Sequence, residues 1–210
     1  MRFLLGIDEA GRGPLAGPVS VGVVAVSEGF DVAREFPGVA DSKKLREKKR
    51  EEIFTELEAR AALGDLRFTV ELESAETIDK EGIVPAVSTA LARGAAKLVQ
   101  DVRFTKPHIK VGHPMSDFHI LLDGSLRAPS EYSQETIIHG DALVPIISLA
   151  SIAAKVVRDR LMVELATQYP DYGFEKHKGY GTRLHYEMLE KYGPCAIHRR
   201  SFLHIDAGHK

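Results

Sequence analysis

Four carboxylates stand where apolar runs end. Asp8 and Glu9 follow FLLGI, Asp123 follows HILL, and Asp141 follows TIIHG. In an open α/β sheet, strand ends are where ligand crevices form. Carboxylates gathered there repel one another and raise each other's pKa unless a cation neutralises them. A hard divalent ion suits such a set, because Mg²⁺ and Mn²⁺ take oxygen ligands and leave room for water and phosphate. Two such ions between shared carboxylates can activate a water and stabilise the leaving oxygen of a phosphodiester. Taken singly, each acid reads more readily as a turn residue or a cap than as a ligand, and Asp123–Gly124 is an ordinary turn pair. Their joint placement is what points to a metal.

Two other stretches carry chemistry. GRGPLAG at 11–17 formally matches a dinucleotide fingerprint through Gly11, Gly13 and Ala16. That fingerprint must open a helix, whereas Pro14 and Pro18 flank this loop and VSVGVVAV after it reads as strand. Asp8 and Glu9 would also face a pyrophosphate with like charge. No Gly-Lys-Ser/Thr follows, so it is not a P-loop either. What remains is a loop whose backbone can approach a hydroxyl or phosphate closely, since glycine has no Cβ. FEKHKGYGT at 174–182 sets Lys176 and Lys178 beside Tyr180, and HRRSF at 198–202 adds Arg199 and Arg200. Cations with an aromatic suit a nucleic-acid strand; the alternative is a solvent loop with Tyr180 packed on the domain. His177, His185 and His198 fit no common zinc spacing, which favours surface or hydrogen-bonded histidines.

These groups need a framework. FLLGID at 3–8 and VSVGVVAV at 19–26 read as buried strands, RFTVELE at 67–73 alternates as a strand does, and HILLD (119–123) and ETIIH (135–139) are two more. ADSKKL opens a helix with Ser42 as N-cap, and its apolar stripe Ile53, Phe54, Leu57 and Ala61 runs to about Leu63. A second helix spans about 84–99, with Val84, Val87, Leu91, Ala95 and Leu98 on one face. The longest runs from near Ser148 to about Gln168, turning Ile152, Val156 and Val163 inward. Asp159 falls on that apolar face and needs a partner. A last helix runs from Thr182 to Tyr192, stopped by Gly193–Pro194. The order predicts an α/β fold with a mixed sheet.

Composition bounds the rest. The chain has 210 residues, 28 Lys plus Arg and 30 Asp plus Glu, so its net charge of −2 names no partner. The distribution is more informative: KKLREKKR at 43–50 and the segment from 174 onward concentrate cations, either as solvated faces or as contacts for an anionic polymer. The single cysteine, Cys195, excludes disulfides within the chain and reads as a small packed hydrophobe. No stretch has the form of a signal peptide or membrane span, and the expectation is a cytoplasmic protein.

DEAGRGPLAGP at 8–18, DSKKL at 41–45, LLDG at 121–124, GD at 140–141, ASIAAKVVRDR at 150–160, KHKGYGT at 176–182 and HRRSF at 198–202, in this order, closely resemble the ribonuclease HII family. One departure is His139, where the family often has a lysine. The resemblance implies a ribonuclease H-like fold, with a mixed five-stranded sheet flanked by helices over 1–172, and a small helical C-terminal extension, 173–210, packed on the same domain. It implies an endonuclease that hydrolyses the RNA of RNA–DNA hybrids and cuts 5′ of a lone ribonucleotide in duplex DNA, leaving 5′-phosphate and 3′-OH ends. Asp8, Glu9, Asp123 and Asp141 would be catalytic and hold Mn²⁺ or Mg²⁺, with Asp159 behind them. Gly11, Arg12 and Gly13 would read the 2′-OH through backbone contacts, and Tyr180 would stack on the neighbouring deoxyribose. Lys43, Lys44, Lys178, Arg199 and Arg200 would contact phosphates. A role in ribonucleotide and RNA-primer removal follows. A monomer is expected, and FLHIDAGHK shows no Q-x-x-hydrophobic-x-x-aromatic clamp motif. The competing readings are a junction resolvase on the same fold, against which GRG and KHKGYGT speak, and a non-catalytic hybrid binder, which gains nothing from four acids set against phosphates.

Overall fold

The computed structural model describes residues 2–39, 45–105 and 117–203. Strands β1 (Phe3–Ala10) and β2 (Val19–Ser27) form an antiparallel pair. After the short α1 (Val32–Glu35) come α2 (Glu47–Leu63), β3 (Arg67–Glu73), α3 (Ala75–Glu81) and α4 (Ile83–Thr105). Then follow β4 (Phe118–Asp123), β5 (Ser133–Ile137), α5 (Gly140–Leu143), α6 (Pro145–Gln168), α7 (Phe174–His177) and α8 (Arg183–Tyr192). The five strands lie in the order β3-β2-β1-β4-β5. β1, β2 and β3 pair antiparallel, while β4 and β5 add in parallel to β1. This is the expected mixed five-stranded sheet flanked by helices.

Period-two alternation sorts the strands' side chains between two cores. Phe3, Leu5 and Ile7 share one with Val87, Leu91 and Leu98 of α4. Ile53, Phe54 and Leu57 of α2 form the other with Ile146, Leu149, Ala150 and Ile152 of α6. The central helix α6 lies almost on the sheet backbone. A Cβ at Gly6 would stand 2.5 Å from the Ile146 carbonyl oxygen, and one at Gly22 only 2.1 Å from that of Ala150. Asp8, two residues beyond Gly6 and therefore on the same face, is carried under this helix.

Several boundaries differ from the sequence expectation. α2 begins at Glu47 behind Arg46, not at an N-cap on Ser42, which lies outside the described residues. α4 runs to Thr105, and β5 lies two residues earlier than read: none of its residues is fully buried, and Ile138, just past its end, is exposed. Val84 and Val163 are exposed although each falls on its helix's apolar stripe. Thr182 does cap α8, accepting a hydrogen bond from the His185 N–H.

Candidate active site

A cleft of about 370 Å³ opens at the C-terminal ends of β1 and β4. Asp8, Glu9, Asp123, Gly11, Arg12, Gly13 and Tyr180 line it, together with Arg50, Ser151 and Lys155. The parallel register pairs Ile7 with Leu122, so the next residue on each strand is an acid, Asp8 beside Asp123. Asp141 joins them because the turn before α5 folds back: His139 adopts a left-handed conformation, and the Asp141 N–H donates to Asp123 Oδ1 at 3.2 Å. The carboxylates expected from the sequence are thus drawn to one end of the sheet.

Asp8 is buried, and burial, then the charges of Glu9 and Asp123, holds its carboxyl well above the usual carboxylate range. Hydrogen bonds from Ser151 and the Glu9 N–H, the latter at 2.7 Å, act in the opposite direction. Arg12 donates to Glu9 Oε1 at 3.2 Å. Among the described residues no three His, Cys, Asp or Glu side chains form a ready-made metal cage. The donor set still fits a hard divalent ion: it is all oxygen, and Asp8, one of its two buried members, is held against ionisation by burial and by neighbours of like charge, the condition a cation relieves.

Asp159 finds the partner its apolar surroundings require in Lys155, whose Nζ lies 2.9 Å from Oδ1 one turn earlier on α6. Asp159 therefore meets the cleft through Lys155. Tyr180 is 41% exposed, with Lys155 Nζ 5.3 Å and Arg158 Cζ 5.8 Å from its ring centre. The ring is thus flanked by two cations, while part of it stays exposed. Gly11 and Gly13 differ. Gly11 has φ +84° and a Cβ there would fall 2.0 Å from Arg158 Nε, whereas a Cβ at Gly13 would meet nothing within 4 Å.

The basic residues scatter. Lys43 and Lys44 lie outside the described residues. Arg200 is exposed, and its backbone N–H is held by Asp79 at 2.8 Å. Lys178, also left-handed at φ 51°, bonds the Glu175 carbonyl through Nζ. Arg199 corrects the expectation of a phosphate contact: it is fully buried and bonds the carbonyls of Gly11, Arg12 and Gly17. Sequence reading missed Arg50, Ser151 and Lys155. The only signal for Lys155 was its position four residues before Asp159.

The three histidines are neither superficial nor scattered. His177 and His185 stack with ring centres 4.4 Å apart, and His185 Nε2 lies 3.0 Å from His198 Nε2. Their partners define the tautomers. His185 Nδ1 faces the Tyr180 carbonyl at 2.9 Å and must donate, so its Nε2 accepts from His198. His198 Nδ1 in turn accepts from the Cys195 N–H at 2.9 Å. His177 Nε2 donates to the Tyr172 carbonyl, and its Nδ1 accepts from the Gly179 N–H. All three rings are neutral, and burial pushes each pKa down, that of His198 to about 4. Cys195 is half-buried against His198, and burial raises its thiol pKa.

Solved structures of the same shape place this architecture. Ribonuclease HII in the PCNA:RNase HII complex from Archaeoglobus fulgidus superposes with a TM-score of 0.69 at 24% identity over 94% of each chain. Ribonuclease H2 from Pyrococcus horikoshii gives 0.66 at 27%, covering 95% of this chain and 93% of that one. Bst-RNase HIII in complex with Mn²⁺ gives 0.62 at 18%, covering 91% and 63%. Sheet order and these likenesses together define the ribonuclease H-like fold class. Within that class, the sequence model of ribonuclease HII matches residues 5–205. Ribonuclease HII of Endomicrobium trichonymphae is 44% identical over 94% of this chain and 83% of its own, and that of Caldicellulosiruptor bescii 43% over 96% and 87%. The chain belongs to the ribonuclease HII family, and is an endonuclease with ribonuclease H activity. No helix among the described residues is long and apolar enough to cross a membrane.

Proposed function

We propose that this enzyme cuts not only long RNA–DNA hybrids but also the 5′ side of single ribonucleotides in duplex DNA, leaving 5′-phosphate and 3′-OH ends. The observation that carries this reading is the shared cleft: Asp8, Glu9 and Asp123, the open backbone at Gly13 and the exposed part of Tyr180 line one cavity. A phosphate set against the acids has its own sugar within reach of the loop. The 2′-OH is what distinguishes RNA from DNA at a given site, and Gly11, Arg12 and Gly13 would read it through backbone groups. Tyr180 would stack on the adjacent deoxyribose, and Lys43, Lys44, Lys178 and Arg200 would contact phosphates.

Asp8, Glu9, Asp123 and Asp141 would hold Mg²⁺ or Mn²⁺, with Asp159 orienting Lys155 beside them. Two such ions, when bound, supply an activated water and neutralise charge on the leaving 3′-oxygen. The protein's own share is to bury Asp8, to hold Glu9 through Arg12, and to keep the segment 173–203 packed as a substrate-contacting wall. The reading gives the enzyme, acting as a cytoplasmic monomer, a role in removing ribonucleotides and RNA primers from DNA. The test is cleavage with Mg²⁺ or Mn²⁺ of a duplex with one ribonucleotide, an all-DNA duplex and a four-way junction. Cutting of the first alone supports the proposal; cutting of the junction turns it into a resolvase.

A further inference from the structure

Two buried cations lie behind the recognition loop. Arg158 on α6 and Arg199 near the C-terminal end of the fold are both fully buried. Their hydrogen bonds run to carbonyl oxygens rather than to carboxylates. Arg199 bonds those of Gly11 (2.6 Å), Arg12 (2.9 Å) and Gly17 (2.9 Å), and Arg158 those of Pro18 (2.8 Å) and Ala16 (3.2 Å). The main chain of Arg199 takes one more carbonyl, that of Leu15, at 2.8 Å. Nearly every carbonyl of the loop is therefore turned inward.

In a trans peptide the C=O and the following N–H point in opposite directions across one plane, and the chain has no cis peptide among the described residues. Drawing the Gly11 and Arg12 carbonyls inward therefore aims the N–H groups of Arg12 and Gly13 outward, into the cleft that Asp8 and Asp123 line. Gly13 is exposed there, with no atom within 4 Å of a Cβ position. The glycines of the loop serve this arrangement. Gly11 lets the backbone rest on the Arg158 guanidinium, and a Cβ at Gly17 would strike Met162 Sδ at 2.3 Å.

Keeping two cations together without carboxylates is costly. Burial pushes the Arg199 pKa down to about 9, and the neighbouring Arg158 charge pushes it the same way. Arg158 Nη1 is buried with no hydrogen-bond partner. A loop that needed only to be packed could rest on apolar side chains. Planar forks carrying several donors are what set several carbonyls in one orientation at once.

We propose that Arg158 and Arg199 are positioning residues for sugar recognition, two guanidiniums that orient the Gly11–Pro18 backbone so that its amides meet the 2′-OH. Neither touches substrate. The inference rests on the single-ribonucleotide reading above. The experiment measures KM for a duplex with one ribonucleotide and, by competition, Ki for the same duplex made wholly of DNA, with Mn²⁺, in the wild type, Arg199→Lys and Arg158→Lys. The expected result is a rise of tenfold or more in KM, with Ki for all-DNA within twofold of wild type, so that the preference collapses. A purely structural role predicts that KM and Ki rise together, or that only the melting temperature moves, and either result overturns the proposal. Should the lysine variants fail to fold, Phe202→Leu carries the test, because the Phe202 ring lies 5.2 Å from Arg199 Cζ and leucine keeps an apolar side chain against the core that Phe202 also touches. A threefold loss of preference supports the positioning role, and an unchanged preference overturns it. If the wild type itself does not cut the ribonucleotide duplex, the functional reading fails first, and this inference with it.

Discussion

Two glycines of one motif should respond in opposite ways to the same substitution. Gly11→Ala places a methyl 2.0 Å from Arg158 Nε on a backbone at φ +84°. The left-handed conformation costs an alanine about 1–2 kcal/mol. The guanidinium must also shift, weakening its bonds to the Pro18 and Ala16 carbonyls, each worth about 1.5–3 kcal/mol when the donor is charged. Allowing for partial relaxation, the loss is about 3–6 kcal/mol. For a chain of this size that lowers the melting temperature by about 6–24 °C. Gly13→Ala meets no atom within 4 Å and does not sit at positive φ, so its stability should stay within about 0.5 kcal/mol of wild type. Its methyl would instead occupy open space in the cleft, and cutting at a single ribonucleotide should fall at least tenfold. Calorimetric melts paired with a cleavage assay on the two variants decide the matter. A Gly11→Ala protein that melts with the wild type, or a Gly13→Ala protein that unfolds early while cutting normally, would refute the division of labour between the two positions.

Other expectations are more compact. Asp8→Asn should abolish Mg²⁺- or Mn²⁺-dependent cleavage while the chain stays folded; near-native turnover would remove Asp8 from the site. The Asp8 pKa is raised in the folded state, so ionising it costs stability as pH rises above the ordinary value of 3.8. With metal chelated, the melting temperature of Asp8→Asn relative to wild type should therefore climb with pH, and a constant difference across pH 4 to 8 counts against the burial argument. The histidine stack has the opposite slope. Folded His198 protonates only near pH 4 against about 6.5 when unfolded, so stability should fall as pH drops through that window, as urea titrations at stepped pH can show. Tyr180→Ala should slow cutting at a single ribonucleotide far more than it lowers the melting temperature, and loss of stability with unchanged turnover would make Tyr180 a packing residue.

How much was legible in the sequence depended on whether a residue's role was local. Period and apolar runs located β1 to β4 and the stripes of α2, α4 and α6, because those patterns report burial directly. They failed at Val84 and Val163, where the helix continues but the described residues leave that side exposed. Asp8, Glu9 and Asp123 could be read because each lies at the end of a strand, and the register of β1 with β4 does the rest; Asp141 lies on α5 and joins them through the turn at His139. Arg158 and Arg199 could not be read, since a cation in a basic stretch looks like surface, and only the folded chain shows the carbonyls they turn toward. The histidines follow no spacing rule for the same reason. Asp159 was half legible: its place on an apolar face demanded a partner, and Lys155 supplied it.

The bond from Arg199 to Gly11 spans 188 positions of sequence. At synthesis rates of about 5–20 residues per second, the first strand waits many seconds for the arginine that shapes its following loop. A nascent chain halted before Arg199 would already carry its acids but not the oriented amides. On the positioning role proposed above, selectivity for the sugar waits on Arg199, and a chain that stops short of it leaves its acids without the bonds that orient the loop.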